Sequence, residues 1–115
     1  MKKLFALILS CVFLAGCSRP EIEITLKNNQ SVPIFNVKVA QISDEVMVQE
    51  LFPHAVFEAG FEAKDQGRFN IQFFDASGKK YESTNGYYNK GLHGTVVIQI
   101  EEGYKVSWPR VELAP

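Results

Sequence analysis

Apolar residues follow two different patterns along this chain, and the change falls near residue 20. After the cationic start Met1-Lys2-Lys3, Leu4 to Phe13 is an apolar run broken only by Ser10. From Glu21 onward apolar and polar positions alternate, with Ile22, Ile24 and Leu26 set against Glu21, Glu23, Thr25 and Lys27. A period of two is what a strand with one buried face requires, because successive side chains point to opposite sides. Asn28-Asn29-Gln30-Ser31 reads as a turn. Pro33 then opens a second strand in which Phe35, Val37 and Val39 alternate with Asn36, Lys38 and Ala40 up to Ile42. Ser43-Asp44-Glu45 turns the chain into Val46-Met47-Val48.

The stretch 50–64 fits two readings. Leu51, Phe52, Ala55, Val56 and Ala59 have helical spacing behind Pro53, whereas Val56 to Phe61 also fits a strand bent at Gly60. Extended structure is favoured, because the neighbouring segments are all strands and Gly60 would weaken a helix by roughly 1 kcal/mol. Downstream, Phe69, Ile71 and Phe73 alternate with Arg68, Asn70 and Gln72, and Asp75-Ala76-Ser77-Gly78 makes a hairpin turn into Lys79-Lys80-Tyr81-Glu82. Gly86 to Gly94 reads as a glycine-punctuated connection, Thr95 to Ile100 as a β-branched strand, and Tyr104 to Trp108 as the last strand, closed by Pro109 and Pro115. Seven or eight short strands with a turn about every ten residues predict an all-β domain, an antiparallel sandwich or small barrel.

The opening segment does not belong to that domain. A transmembrane helix needs about 20 apolar residues, and the run from Leu4 to Cys17 ends too soon at Ser18-Arg19-Pro20. Its cationic start, apolar middle and small residues before Cys17 have the layout of a helical signal peptide. Leu14-Ala15-Gly16-Cys17 resembles the lipobox of bacterial lipoproteins. The resemblance implies diacylglyceryl transfer to the Cys17 sulfur, cleavage between Gly16 and Cys17, and in many bacteria acylation of the freed amine. Only a thiol, acting as thiolate, is nucleophilic enough near neutral pH for that thioether. Two or three acyl chains on one residue anchor durably where one myristoyl chain binds only marginally. The alternative is an ordinary cleaved signal peptide with an incidental Cys17. In Gram-negative lipoproteins an Asp after the lipidated Cys favours the inner membrane. With Ser18 in that place, the resemblance points to the outer membrane if the organism has one, with the domain in the periplasm or at the surface.

These readings divide the chain into a signal peptide (1–16), a lipidated tether (17–20) and one β-sandwich domain (21–115). The hydrophobic content of 46% and charged content of 22% are ordinary for a folded soluble domain. Cys11 leaves with the signal peptide and Cys17 is consumed, so no internal disulfide is available and packing must supply the stability. Without Lys2 and Lys3 the mature chain carries ten Lys and Arg against thirteen Asp and Glu, a net of −3. Its basic residues are scattered apart from Lys79 and Lys80, which argues against nucleic-acid binding.

The run Leu26-Lys27-Asn28-Asn29 with Val32 to Val39 is similar to the first hairpin of bacterial immunoglobulin-like or fibronectin-like envelope domains. Asp75 to Tyr81, Gly86-Tyr87-Tyr88 and Gly94 to Ile100 resemble later strands of small lipoproteins. This second resemblance implies an Ig-like sandwich and carries no catalytic residue across.

Candidate chemistry is sparse. His54 and His93 are isolated in sequence, a polar strand edge and a glycine-flanked turn, with no ligand at metal spacing, so no metal and no cofactor is expected. No Ser sits in a Gly-x-Ser-x-Gly elbow, Glu101 and Glu102 face opposite ways in extended chain, and Asp75, Ser77 and Lys79 lack the full calcium-loop pattern, so enzymatic activity is not expected. The aromatic residues remain. Tyr87 and Tyr88, among glycines and polar residues, together with Trp108, are the expected partner contacts, against the alternative that these rings only pack the sandwich. The functional expectation is a membrane-anchored, non-enzymatic interaction or structural module whose partner is an envelope protein. The alternative is a ligand-binding or inhibitor domain acting on a periplasmic lytic enzyme or glycan.

Overall fold

A computed structural model describes residues 22–42 and 44–115; the segment read as a signal peptide (1–16), with Gly16, Cys17 and Ser18, lies outside them. Eight strands follow one another: β1 (Ile22–Asn28), β2 (Ile34–Gln41), β3 (Asp44–Leu51), β4 (Val56–Phe61), β5 (Gly67–Phe74), β6 (Lys80–Tyr88), β7 (His93–Glu101) and β8 (Lys105–Ala114). They form two four-stranded sheets, β4-β1-β7-β8 and β3-β2-β5-β6, which face each other as the expected all-β sandwich. One pairing departs from the antiparallel expectation: β1 and β7 run parallel. Parallel neighbours need a long crossover, and the whole of β2 to β6 supplies it.

The alternation legible in the sequence becomes the core. Ile22, Ile24 and Leu26 of β1, Phe69, Ile71 and Phe73 of β5, and Val96, Ile98 and Ile100 of β7 all point inward and are buried. In β2 the expected set shifts. A bulge between Phe35 and Lys38, with Asn36 at φ 46°, buries Ile34, Val37 and Val39 and leaves Phe35 half-buried. The ambiguous stretch 50–64 is extended: β3 ends at Leu51, a turn holds Pro53 and His54, and β4 follows.

Two further expectations are corrected by bulges. The glycine-rich connection is shorter than expected, because β6 continues through Gly86 to Tyr88. Gly86 is the extra residue between the pairs Arg68 with Tyr87 and Phe69 with Asn85. Its φ of 73° and the 3.3 Å that a Cβ there would have to Phe69 and Val111 both call for glycine. The last strand does not stop at Trp108 but runs through Pro109 to Ala114, because the register shifts between Val97 and Gln99, opposite that proline. A proline is tolerated in an edge strand at a bulge, where a missing N–H breaks no regular ladder.

Candidate functional site

The strand directions sort the loops into two ends. Ile22 pairs with Phe61 and with Gly94, so the chain enters β1 where β4 ends and β7 begins. The connections 62–66 and 89–92 leave from that same end. Gln41 joins it through its Nε2, which donates to the Glu62 carbonyl at 2.9 Å. The loops 29–33, 52–55, 75–79 and 102–104 make the opposite, far end.

A buried polar knot organises the far end. Asn28 is fully buried, and its Nδ2 donates to the carbonyls of Val32 (2.9 Å), Leu51 (3.0 Å) and Phe52 (3.3 Å). Its Oδ1 accepts from the Gln30 backbone N–H at 3.1 Å, while the oxygen of the buried Gln30 side chain accepts from the Tyr104 N–H at 2.9 Å. Asn28 also donates its own N–H to Ala55 and accepts at its carbonyl from His54. One short polar segment thus pins three loops, each buried group finding the partner that burial demands. His54 lies in this turn at φ 64°, not on a strand edge as the sequence suggested. Around the knot stand Phe52, 60% exposed, with Val56 and Val32, both also exposed.

Beside the knot an aromatic tier stacks Phe73, Tyr81 and Tyr104, with centroids 5.3 Å and 4.8 Å apart, and Lys79 lies 5.2 Å from the Tyr81 ring centre. The Tyr81 hydroxyl donates to Asp75 Oδ2 at 3.1 Å, and partial burial together with that neighbour pushes the phenol up. Asp75 ties the hairpin turn as its sequence suggests: Oδ1 accepts from the Ser77 hydroxyl at 2.7 Å, the Ser77 N–H at 2.9 Å and the Lys79 N–H at 3.0 Å. These donors, the Ser77 hydroxyl foremost, hold its carboxyl down from 3.8 to about 2. The unfolded chain then binds the proton more tightly than the folded one. The stabilisation is whole above pH 3.8 and lost as pH falls through about 2. Thermal melts of the wild type and Asp75→Asn should therefore differ most at neutral pH and converge over that window; a gap that stays constant to pH 2 would contradict this assignment.

The three aromatic residues expected to form one contact surface do not come together. Tyr88 is 1% exposed, tilted against Phe69 with centroids 4.9 Å apart, and its hydroxyl accepts from the Ile42 N–H at 3.1 Å. It is a core residue, because β6 alternates and Tyr88 takes the inward position. Trp108 is half-buried, and its Nε1 donates to Ser83 Oγ at 3.0 Å, joining the β8 edge of one sheet to the β6 edge of the other. It closes that open side of the sandwich and is not an outward anchor. Only Tyr87, 56% exposed, faces solvent, its hydroxyl 3.3 Å from both Gln66 Oε1 and Asn89 Oδ1. His93 opens β7 and is exposed, with Nε2 2.9 Å from the Pro115 carbonyl oxygen. Among the described residues no three His, Cys, Asp or Glu side chains converge as a metal site would require.

The described surface carries two shallow, open hollows. One of about 360 Å³ lies on the outer face of the β1–β4 pair, where Gly60 opposes Glu23. The other, about 340 Å³, lies between Phe35, Asn36, Phe74 and the Asp75–Gly78 turn. The sequence did not mark the second one, because it arises from the β2 bulge that turns Phe35 away from the core.

No protein-family model and no curated protein sequence matches the chain. Among solved structures, the NMR structure of a protein from Eubacterium rectale is similar, with a TM-score of 0.55 and 23% identity over 80% of this chain and 91% of that one. The likeness is one of fold.

Proposed function

We propose that the chain is a membrane-anchored envelope lipoprotein whose sandwich is a non-enzymatic interaction module. Its anchor is the lipid on Cys17, and Ser18 assigns it to the outer membrane if the cell has one. The observation that carries the reading is the placement of a lipobox immediately ahead of the first strand of a sandwich whose two described hollows are shallow and open. Shallow hollows and exposed apolar side chains suit a protein partner better than a small substrate. The far end is the partner surface: Phe52, Val56 and Val32 project from segments fixed by Asn28, and a rigid apolar residue loses little entropy on binding. The alternative, a domain that binds a glycan or a lytic enzyme, draws its support from the hollow floored by Phe35 and Phe74.

The test uses cells making the wild type, Cys17→Ala and Phe52→Ala. Cys17→Ala should lose fatty-acid labelling and remain unprocessed. Phe52→Ala should keep both and its melting temperature, yet lose an in-cell cross-linked partner. Full labelling of Cys17→Ala would sink the anchor, and unchanged cross-links in Phe52→Ala would remove the far end as the partner surface.

A further inference from the structure

The end of the sandwich opposite the Asn28 knot carries features that the proposed function leaves unused. Ile42 is 69% exposed, at the tip of the β2–β3 hairpin. It is no stray side chain, since its backbone N–H bonds the Tyr88 hydroxyl and its Cδ1 lies 2.7 Å from where a Cβ of Gly67 would stand. Tyr87 lies at the same end, because its hydroxyl reaches Gln66 and Asn89 in the two connections that leave from there. The Gly91 N–H donates to the Ala63 carbonyl at 2.9 Å, which ties those two connections together. This is also the end at which the chain enters β1 at Ile22.

We infer that this end rests on the bilayer that holds the lipid, with Ile42 and Tyr87 set into its headgroup layer. The inference depends on the lipidation of Cys17 and adds to it an orientation. From Cys17 to Ile22 is five peptide steps, which span at most about 18 Å. The far end stands one strand length further away, about 23 Å for the seven residues of β1. A tether this short holds the near end against the lipid surface at an effective concentration in the millimolar range, so a weak contact is enough to be populated. The residues suit that place, for tyrosine favours the water–lipid boundary, with ring in and hydroxyl out, and an isoleucine tip adds apolar area. Charge opposes the contact only weakly: around the same end Lys64, Arg68 and Lys90 offset Asp44, Glu62 and Asp65, Glu45 and Glu112 pair with Lys38 and Arg110, and Glu23 adds one negative charge. The occupant is thus the headgroup layer itself, held through apolar side chains and not through anionic-lipid recognition. It follows that Tyr87 faces lipid and that Phe52, at the other end, is left free for a protein partner.

The experiment uses the processed lipoprotein extracted from membranes and reconstituted in vesicles of phosphatidylethanolamine and phosphatidylglycerol. Ile42→Cys, Tyr87→Cys and Phe52→Cys are each labelled with an environment-sensitive dye; the Cys17 sulfur is blocked by its lipid, so each label is unique. Lipids carrying a nitroxide near the headgroup should quench and blue-shift the labels at 42 and 87 and leave the label at 52 unchanged. Equal quenching at all three positions, or none at 42 and 87 with Cys17 shown to be acylated by mass spectrometry, would overturn the docking while leaving the anchor intact. A Cys17 without acyl chains would overturn both.

Discussion

Tyr88→Ala is expected to destabilise the domain by about 3–5 kcal/mol, while Tyr87→Ala next to it costs no more than about 0.5 kcal/mol. The two rings are adjacent in sequence and opposite in environment. Tyr88 is wedged beside Phe69 with its hydroxyl bonded to the Ile42 backbone, whereas Tyr87 stands on the surface. Deleting the inner ring removes its transfer energy, leaves a cavity in a close-packed interior and orphans the Ile42 N–H. Tyr88→Phe keeps the ring and should lose only about 1 kcal/mol, the net worth of one hydrogen bond. Denaturant melts of the three variants check this. Equal losses at 87 and 88 would mean that β6 does not alternate as described.

Asn28→Ala should cost about 3 kcal/mol or more, as large an effect as most core truncations although the residue is polar. One side chain serves the carbonyls of Val32, Leu51 and Phe52 and the Gln30 N–H, and each buried group left without a partner costs about 1–3 kcal/mol. Asn28→Asp is the sharper variant. It keeps the acceptor for Gln30 but aims a carboxylate at three carbonyl oxygens, so at neutral pH it should fare no better than alanine and should recover partly as acid protonates it. A loss under about 1 kcal/mol for Asn28→Ala would show that the far-end loops hold together without the knot.

The fold was legible wherever one face of a strand is buried. Ile22-Ile24-Leu26, Phe69-Ile71-Phe73 and Val96-Ile98-Ile100 announce their inward faces by period two, and Asp75-Ala76-Ser77-Gly78 announces its turn by residue chemistry. What the pattern hides is any place where the register slips. The bulges at Asn36, at Gly86 and at Trp108–Pro109 each insert one residue, and after each the side chains change face without any change in composition. For this reason the pattern in sequence places Phe35 inward and Tyr87 and Tyr88 in a loop. The Asn28 knot reads in sequence as a mere turn, since nothing in Asn28-Asn29-Gln30-Ser31 says that its amides will be buried; that depends on loops more than twenty residues away closing over them. The parallel pairing of β1 with β7 is likewise set by the whole topology and leaves no local mark.

The candidate contact surface divides along the same line. Tyr87 and Tyr88 could be separated by alternation alone, once the segment was extended. The role of Trp108 could not, because its indole meets Ser83 across the gap between two sheets. Ile42 carried no signal in sequence beyond being the last apolar residue of a strand. Its meaning comes from its sharing an end with the entry to β1.

The claim on which the rest depends is that this sandwich is held by a lipid on Cys17, and the intact mass of the protein extracted from cell membranes tests it most directly. The account predicts a chain cut before Cys17 and heavier than its sequence from that residue on by a diacylglyceryl group and, in bacteria that complete the modification, by a third acyl chain on the new amino terminus. A protein of that length with a bare Cys17 thiol, or one still carrying residues 1–16, would contradict it.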